Sequence, residues 1–139
     1  MIGLARSKIG DPDDKTTKAA AGRVVWTELL TNTAPADAAA FYRSVVGYEV
    51  RTIERRGGEY TLLVMQGADR AGILKNPAAQ WPPAWVTYFG VDDPAAISAR
   101  AEALGGKVLL PVSPMLREGT MAVVADPSGA ILVLQKLSH

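Results

Sequence analysis

The chain has 139 residues, a formal net charge of +1 and a hydrophobic content of 48%. This length predicts one domain with a buried core, and the near-neutral charge is unlike that of a nucleic-acid-binding protein. There is no cysteine, which excludes disulfides, thiolate metal sites and cysteine nucleophiles together. No apolar run is long enough to cross a membrane, so the cytoplasm is the expected compartment and no membrane partner is expected.

The only histidine is His139, the last residue of the chain. Terminal residues are usually poorly fixed, so this imidazole is a poor candidate for a catalytic base, a triad member or a metal ligand. Any chemistry is therefore expected from carboxylates, Arg, Lys, Tyr, Ser or Thr.

Residues 1–22 are polar, mixed in charge and without strand alternation or a sustained apolar stripe. Their only apolar fragment, Met1–Ala5, precedes the charges and is too short for the core of a signal peptide. We predict a mobile N-terminal tail that is not a targeting sequence.

Residues 23–75 predict a first module in the order strand, helix and three strands. Apolar runs with β-branched residues indicate the strands, and apolar positions at helical spacing indicate the helix. Gly47 follows the helix where a C-cap glycine is expected. The predicted elements are a strand at Arg23–Thr31, a helix at Ala36–Val46 and strands at Tyr48–Glu54, Glu59–Met65 and Ala71–Leu74.

Residues 76–84 contain three prolines and predict a stiff linker. A second module, residues 85–136, then repeats the order of the first. Asp93 is placed to cap its helix, and Pro94 suits the first helical turn. The predicted elements are a strand at Trp85–Val91, a helix at Pro94–Leu104 and strands at Lys107–Val112, Gly119–Ala125 and Ile131–Gln135.

The two modules align when the sequence is shifted by 59 residues. The shift pairs Trp26 with Trp85, Pro35 with Pro94 and Gly47 with Gly106. Matches at a strand start, a helix start and a helix end, all in one register, indicate an internal duplication. Two βαβββ modules predict an α+β fold, in which a curved eight-stranded mixed sheet surrounds a cleft and the helices cover its outer face.

Three sets of residues resemble a known superfamily. They are Phe41-Tyr42-Arg43 followed by Gly47-Tyr48, Val91-Asp92-Asp93 before a helix that ends Ala103-Leu104-Gly105-Gly106, and the hairpin Asp126-Pro127-Ser128-Gly129. In this order they resemble the vicinal-oxygen-chelate superfamily of glyoxalase I, bleomycin-resistance proteins and extradiol dioxygenases. The resemblance covers residues 23–136 and implies a single domain of this fold over 23–139. It leaves the function open, because the superfamily includes isomerases, dioxygenases, epimerases, thiol transferases and drug-binding proteins.

Active members of the superfamily hold a divalent metal through the first and last strands of each module. The resemblance and the 59-residue shift together place those positions at Thr27, Leu74, Val86 and Val133. Three are hydrocarbon side chains and one is a hydroxyl, whereas a hard divalent cation needs several oxygen or nitrogen donors. Shifting the register by one residue adds only Glu28 as a plausible ligand. The resemblance thus implies a fold without its metal site, and no metal or cofactor is expected.

Glu28 is the one candidate for catalysis, because a carboxylate within an apolar strand can serve as a base. Strand alternation, in the assigned register, directs it toward the helix layer, where a paired structural carboxylate is the alternative interpretation. Tyr88 shares the face of Val86 and is expected to point into the cleft. The residues predicted to bind a ligand in the cleft are Thr27, Leu29, Tyr60, Leu74, Val86, Tyr88, Met121 and Val133.

The first functional hypothesis is a metal-independent protein that binds a small apolar or aromatic molecule in the cleft. The second is a lyase- or isomerase-type enzyme that acts on a small carbonyl substrate through Glu28 or Tyr88. The third is a non-catalytic structural or regulatory dimer with a collapsed pocket. The superfamily commonly pairs its modules within or between chains, so the resemblance also implies a homodimer, either side by side or swapped.

Overall fold

The computed structural model describes residues 21–55 and 58–138. The tail predicted over residues 1–22 lies outside the described residues, apart from its last two. The elements in chain order are β1 (Val24–Thr31), α1 (Pro35–Val46), β2 (Glu49–Arg55), β3 (Gly58–Met65), β4 (Ala68–Lys75), β5 (Ala84–Val91), α2 (Pro94–Ala103), β6 (Lys107–Leu110), β7 (Met121–Ala125) and β8 (Ile131–Lys136). Among the described residues, no helix is long and apolar enough to cross a bilayer.

The eight strands form one mixed sheet in the order β2-β3-β4-β1-β5-β8-β7-β6. Each module contributes one parallel pair, β1 with β4 and β5 with β8, and antiparallel pairs complete it. The modules join at the centre through the antiparallel pair β1–β5. The predicted α+β class and the eight-stranded mixed sheet are confirmed.

Both helices begin at a proline and cover one face of the sheet. α1 packs on β2, β3 and β4, and α2 packs on β6, β7 and β8. Asp93 caps α2, since its Oδ1 accepts from the backbone N–H groups of Ala95 and Ala96 at 3.0 and 3.1 Å. Gly47 ends α1 at φ 90°, a left-handed conformation that glycine adopts without a steric cost.

Two apolar clusters lie on opposite faces of the sheet. The cluster on the helix side of the first module contains Leu29, Ala39, Leu63, Ala71 and Ile73. The cluster on the other face contains Leu30, Val86, Tyr88, Met121, Val123 and Val133. Neither α1 nor α2 covers the second cluster, which forms the floor of the cleft.

The facing predicted for β1 is wrong by one residue. Leu29 packs beneath α1, and Thr27 shares its face by strand alternation. Glu28 and Leu30 line the opposite, open face of the sheet. Thr27 and Leu29 are therefore not wall residues of the cleft, and Glu28 does not point toward the helices.

The pairing of β1 with β5 explains the error. Glu28 lies directly opposite Val86, at a separation of 58 residues. Opposed residues of an antiparallel pair point to the same face of the sheet. Equivalent residues of β1 and β5 must therefore be separated by an even number of positions, whereas the 59-residue shift is odd. Leu30 pairs with Leu74 and Tyr88 pairs with Val133, so the separation between the modules is 58 residues at their first strands and 59 at their last strands.

Because 59 is odd, the two tryptophans that this shift aligns lie on opposite faces of the sheet. Trp26 lies on the cleft face, where its Nε1 donates to the Tyr60 hydroxyl at 3.1 Å. Trp85 lies on the helix face, where its ring packs edge-on against Tyr42 at a centroid distance of 5.2 Å. A match in sequence register is therefore not a match in space for these two residues.

Candidate functional site

A cavity of about 940 Å³ opens on the face of the sheet opposite α1 and α2. Its walls come from both modules, from the linker at Pro77 and Trp81, and from the loop between β6 and β7. Most of the lining side chains are aliphatic or aromatic. The volume lies at the upper end of the range of about 300–1,000 Å³ that is typical of small-molecule sites.

Six of the eight predicted wall residues line this cavity: Tyr60, Leu74, Val86, Tyr88, Met121 and Val133. Thr27 and Leu29 do not, because they lie on the helix face of β1. Sequence reasoning also missed Leu30, Trp81 and Arg117. Leu30 followed from the correct strand facing, but no local pattern marks Trp81 or Arg117 as cavity residues. That any of these residues binds a ligand stays a prediction.

The polar floor of the cavity is centred on Glu28, which is 1% exposed. The Tyr88 hydroxyl donates to Glu28 Oε1 at 2.6 Å. The Tyr60 hydroxyl donates to Oε2, and Arg117 Nη2 donates to the same oxygen at 3.2 Å. Both carboxylate oxygens are thus satisfied by donors from three separate segments of the chain, which stabilises a buried negative charge.

Tyr60 reaches Glu28 only because position 72 is a glycine. A Cβ atom at Gly72 would lie 1.6 Å from the Tyr60 hydroxyl oxygen and 2.3 Å from its Cζ. Gly72 sits on β4, directly beside Glu28 in the parallel pair with β1. The missing side chain leaves the space through which the tyrosine crosses β4.

Both tyrosines are held as proton donors. Burial raises the pKa of Tyr60 and of Tyr88, and the negative charge of Glu28 raises both further. A phenol whose pKa is raised keeps its proton at neutral pH. Neither hydroxyl is therefore available as a tyrosinate base, and each acts as a hydrogen-bond donor to Glu28.

Arg117 reaches the floor from the loop between β6 and β7. It and Glu118 adopt φ values of 45° and 56°, which are uncommon for residues with a side chain and persist only where the surroundings hold them. The guanidinium carbon lies 5.1 Å from the centroid of the Tyr88 ring, within cation–π range. Arg117 is thus fixed by both the Glu28 carboxylate and the face of Tyr88.

Comparison with known proteins identifies the family. Residues 27–134 match the family described as "Glyoxalase-like domain". The chain belongs to this family. The shared fold is also found in a glyoxalase/bleomycin resistance protein/dioxygenase superfamily member from Vibrio splendidus, with a TM-score of 0.53 and 18% identity over 83% of this chain and 97% of that one. The resemblance to the vicinal-oxygen-chelate superfamily is confirmed.

Two curated relatives are similar to this glyoxalase-like chain in sequence. It is 38% identical over 116 residues to "Putative glyoxylase CFP32" of Mycobacterium tuberculosis, covering 83% of this chain and 44% of that protein. It is 30% identical over 129 residues to the anthracycline biosynthesis protein DnrV of Streptomyces peucetius, covering 82% of this chain and 46% of that protein. The chain therefore spans less than half the length of either relative.

The residues of this glyoxalase-like domain do not fit the divalent metal of its superfamily. With the corrected facing of β1, the four strand positions that hold it in active members carry Glu28, Leu74, Val86 and Val133. Three have no donor atom, and both oxygens of the fourth already accept hydrogen bonds. Across residues 21–55 and 58–138, no group of three or more His, Cys, Asp or Glu side chains could hold a metal ion. A hard cation needs more oxygen ligands than this site offers.

Proposed function

We propose that this glyoxalase-like domain binds a flat, largely apolar small molecule in its cavity without a divalent metal. The observation that carries the proposal is the open cavity of about 940 Å³, whose lining includes the four positions that the resemblance implies for the superfamily's metal: Glu28, Leu74, Val86 and Val133. Its aliphatic walls can take an apolar ligand out of water, at roughly 25 cal/mol per Å² of buried apolar surface.

The shape and chemistry of the walls support a flat ligand. The sheet contributes Leu74, Val86 and Val133 as one broad aliphatic surface, and Trp81 comes from the linker. Met121 adds a polarizable side chain that adapts to ring systems. One relative's name places that protein in anthracycline biosynthesis, and anthracyclines are flat, fused-ring aromatic molecules.

The binding part of the proposal is tested with N-phenyl-1-naphthylamine, an apolar probe whose fluorescence rises in an apolar site. We expect one probe per chain. Leu74→Trp should weaken binding by about tenfold or more, because the indole fills the cavity. Leu104→Trp is the matched control, since Leu104 lies at the exposed end of α2, away from the cavity. Absence of probe binding, or equal binding by Leu74→Trp and the unaltered protein, would contradict the proposal.

The metal-free part is tested by elemental analysis of the purified protein. We expect no stoichiometric Zn, Ni, Fe or Mn, and we expect EDTA to leave probe affinity unchanged. One tightly held metal ion per chain would overturn this part and leave the binding part standing.

An enzyme is the second candidate, because Glu28 faces the cavity and not the helix layer. It would use Glu28 or Tyr88 in proton transfer on a small carbonyl substrate. Both oxygens of Glu28 already accept hydrogen bonds, so a substrate proton would have to displace one of the three donors, which ranks this candidate below binding. Exchange of the α-protons of hydroxyacetone in deuterated water, lost in Glu28→Gln, would reverse the order. The open cavity weighs against the third hypothesis, a dimer with a collapsed pocket.

A further inference from the structure

We infer that Arg117 selects ligands in which the aromatic or apolar body carries an oxyanion, such as a carboxylate, a sulfonate or an acidic phenolate. The inference rests on the proposed function and names the polar half of the ligand. Three features of the Glu28–Arg117 pair lead to it: unequal exposure, spare donors and a fixed geometry.

The two partners of the ion pair are buried to very different extents. The Glu28 side chain is 2% exposed, whereas that of Arg117 is 31% exposed. Both residues line the cavity, and nearly all of the accessible surface of the pair belongs to Arg117. A ligand that enters meets the guanidinium before the carboxylate, so the pair presents positive potential although its net charge is zero.

The guanidinium also has donors to spare. It carries five N–H groups in a planar fork, and among the described residues its hydrogen-bond acceptor is Glu28, reached through Nη2. A fork of this kind binds an oxyanion through two parallel hydrogen bonds. Glu28 and the Tyr88 ring already hold the side chain in place, so little further ordering is needed when a ligand binds.

The remaining charges of the cavity do not decide the sign of the ligand. Arg55 and Lys75 line it, as do Glu59 and Glu118, so these four balance. Arg55 lies over the Tyr60 ring at 4.2 Å. The deciding group is thus Arg117, which stands where the floor meets the loop.

The opposite inference is a ligand cation that takes the place of Arg117 on Glu28. Such a ligand would have to draw the guanidinium away from a buried carboxylate and from the Tyr88 ring together. It would also have to replace a charge-assisted hydrogen bond before gaining one. An oxyanion binds without breaking any of these contacts, so the geometry favours it.

The test uses two probes with the same N-phenylnaphthylamine skeleton. N-phenyl-1-naphthylamine is neutral, and 8-anilino-1-naphthalenesulfonate carries a sulfonate. The unaltered protein should bind the sulfonate more tightly by about tenfold, the typical effect of one charged hydrogen bond. In Arg117→Gln this affinity ratio should fall to near one. Arg100→Gln, which removes an exposed arginine of α2, makes the same change of charge and should keep the ratio.

Arg117→Gln leaves the buried charge of Glu28 without its cationic partner and so destabilises the fold. Two further variants test the inference without this problem. The double variant Glu28→Gln/Arg117→Gln removes both charges and should also bring the ratio near one. Glu28→Gln alone leaves the guanidinium charge uncompensated and should raise the preference for the sulfonate. A purely structural role for Arg117 predicts neither change.

The outcomes separate the two proposals. If neither probe binds, the proposed function fails. If the neutral probe binds but the ratio is the same in Arg117→Gln, the inference about Arg117 fails alone. If the unaltered protein prefers the neutral probe, the anionic ligand is also excluded.

Discussion

At the scale of single residues, the site depends on a glycine that contributes no side chain. Gly72 leaves room for Tyr60 to cross β4 and donate to Glu28. We expect Gly72→Ala to destabilise the protein by about 1–3 kcal/mol, because the new methyl group overlaps the tyrosine ring and removes one donor from a buried carboxylate.

The cost of this substitution should depend on the tyrosine. In Tyr60→Leu the ring atoms that would clash are absent, so adding Gly72→Ala should cost much less than in the unaltered protein. Urea unfolding of both single variants and the double variant measures this coupling. Equal costs of Gly72→Ala in both backgrounds would show that Tyr60 is not the group displaced.

Tyr60 and Tyr88 should also make stability sensitive to alkaline pH. Burial and the charge of Glu28 raise the pKa of both hydroxyls above the ordinary value of 10.0. The unfolded chain releases these protons near pH 10, whereas the folded protein keeps them. Their contribution is therefore complete below pH 10 and is lost as the pH rises further, at about 1.4 kcal/mol per pH unit for each tyrosine.

This slope is measured by urea unfolding at a series of pH values above and below 10. Tyr88→Phe should reduce this slope by about 1.4 kcal/mol per pH unit, the contribution of one proton, whatever its effect on stability at neutral pH. Lysines also titrate in this range, and they do so equally in both proteins. A slope that is the same in both would contradict the raised pKa of Tyr88 in the folded state.

At the scale of elements, α1 and α2 each start with a proline but differ in their N-terminal caps. Asp93 caps α2 with two hydrogen bonds, whereas Ala34 at the start of α1 has no side-chain cap. Asp93→Ala should destabilise the protein by about 1 kcal/mol. Ala34→Asp should stabilise it, because Ala34 already has extended cap geometry and an aspartate there also faces the positive end of the helix. Thermal unfolding of both variants decides this, and shifts of the same sign would refute it.

Local patterns predicted the elements well, because capping residues, prolines and apolar spacing act within a few positions of one another. The eight-stranded mixed sheet of two modules followed from the duplication and the resemblance to a known superfamily. The facing of β1 did not follow, because the separation between the modules changes by one residue between their first and last strands, and a one-residue shift reverses every side chain of a strand. Two aligned tryptophans, Trp26 and Trp85, hid that break.

The hydrogen bonds of the polar floor could not be predicted from the sequence, for a different reason. Glu28 is conspicuous in its strand, but its three donors come from β3, β5 and a distant loop. Arg117 reaches it through a backbone with positive φ at two non-glycine residues, which no sequence pattern announces. Contacts between remote segments depend on tertiary packing, so the chemistry of the site had to be read from the fold.

At the scale of the whole molecule, an apolar surface remains on the outside of α1. Phe41 and Val45, one helical turn apart, are 59% and 64% exposed, and Val46 is half exposed. Trp85 of the second module is 43% exposed and contacts Tyr42, whose ring packs against Phe41: its Nε1 donates to the Tyr42 hydroxyl at 3.0 Å. Contiguous apolar surface of this kind marks contact sites between proteins more often than chance exposure does.

We propose that this surface, formed by Phe41, Val45, Val46 and Trp85, joins two copies of the chain into a homodimer. A second copy is a fitting partner because an isologous contact pairs like with like, and an apolar patch is complementary to itself. Light scattering should give twice the mass of one chain, and Phe41→Glu/Val45→Lys should halve it while leaving the cavity on the opposite face intact. Leu104→Glu, at the exposed end of α2, is the control and should stay dimeric. Because the cavity and this surface lie on opposite faces of one sheet, a monomeric double variant should still bind N-phenyl-1-naphthylamine. A dimer that survives the double substitution would place the interface elsewhere.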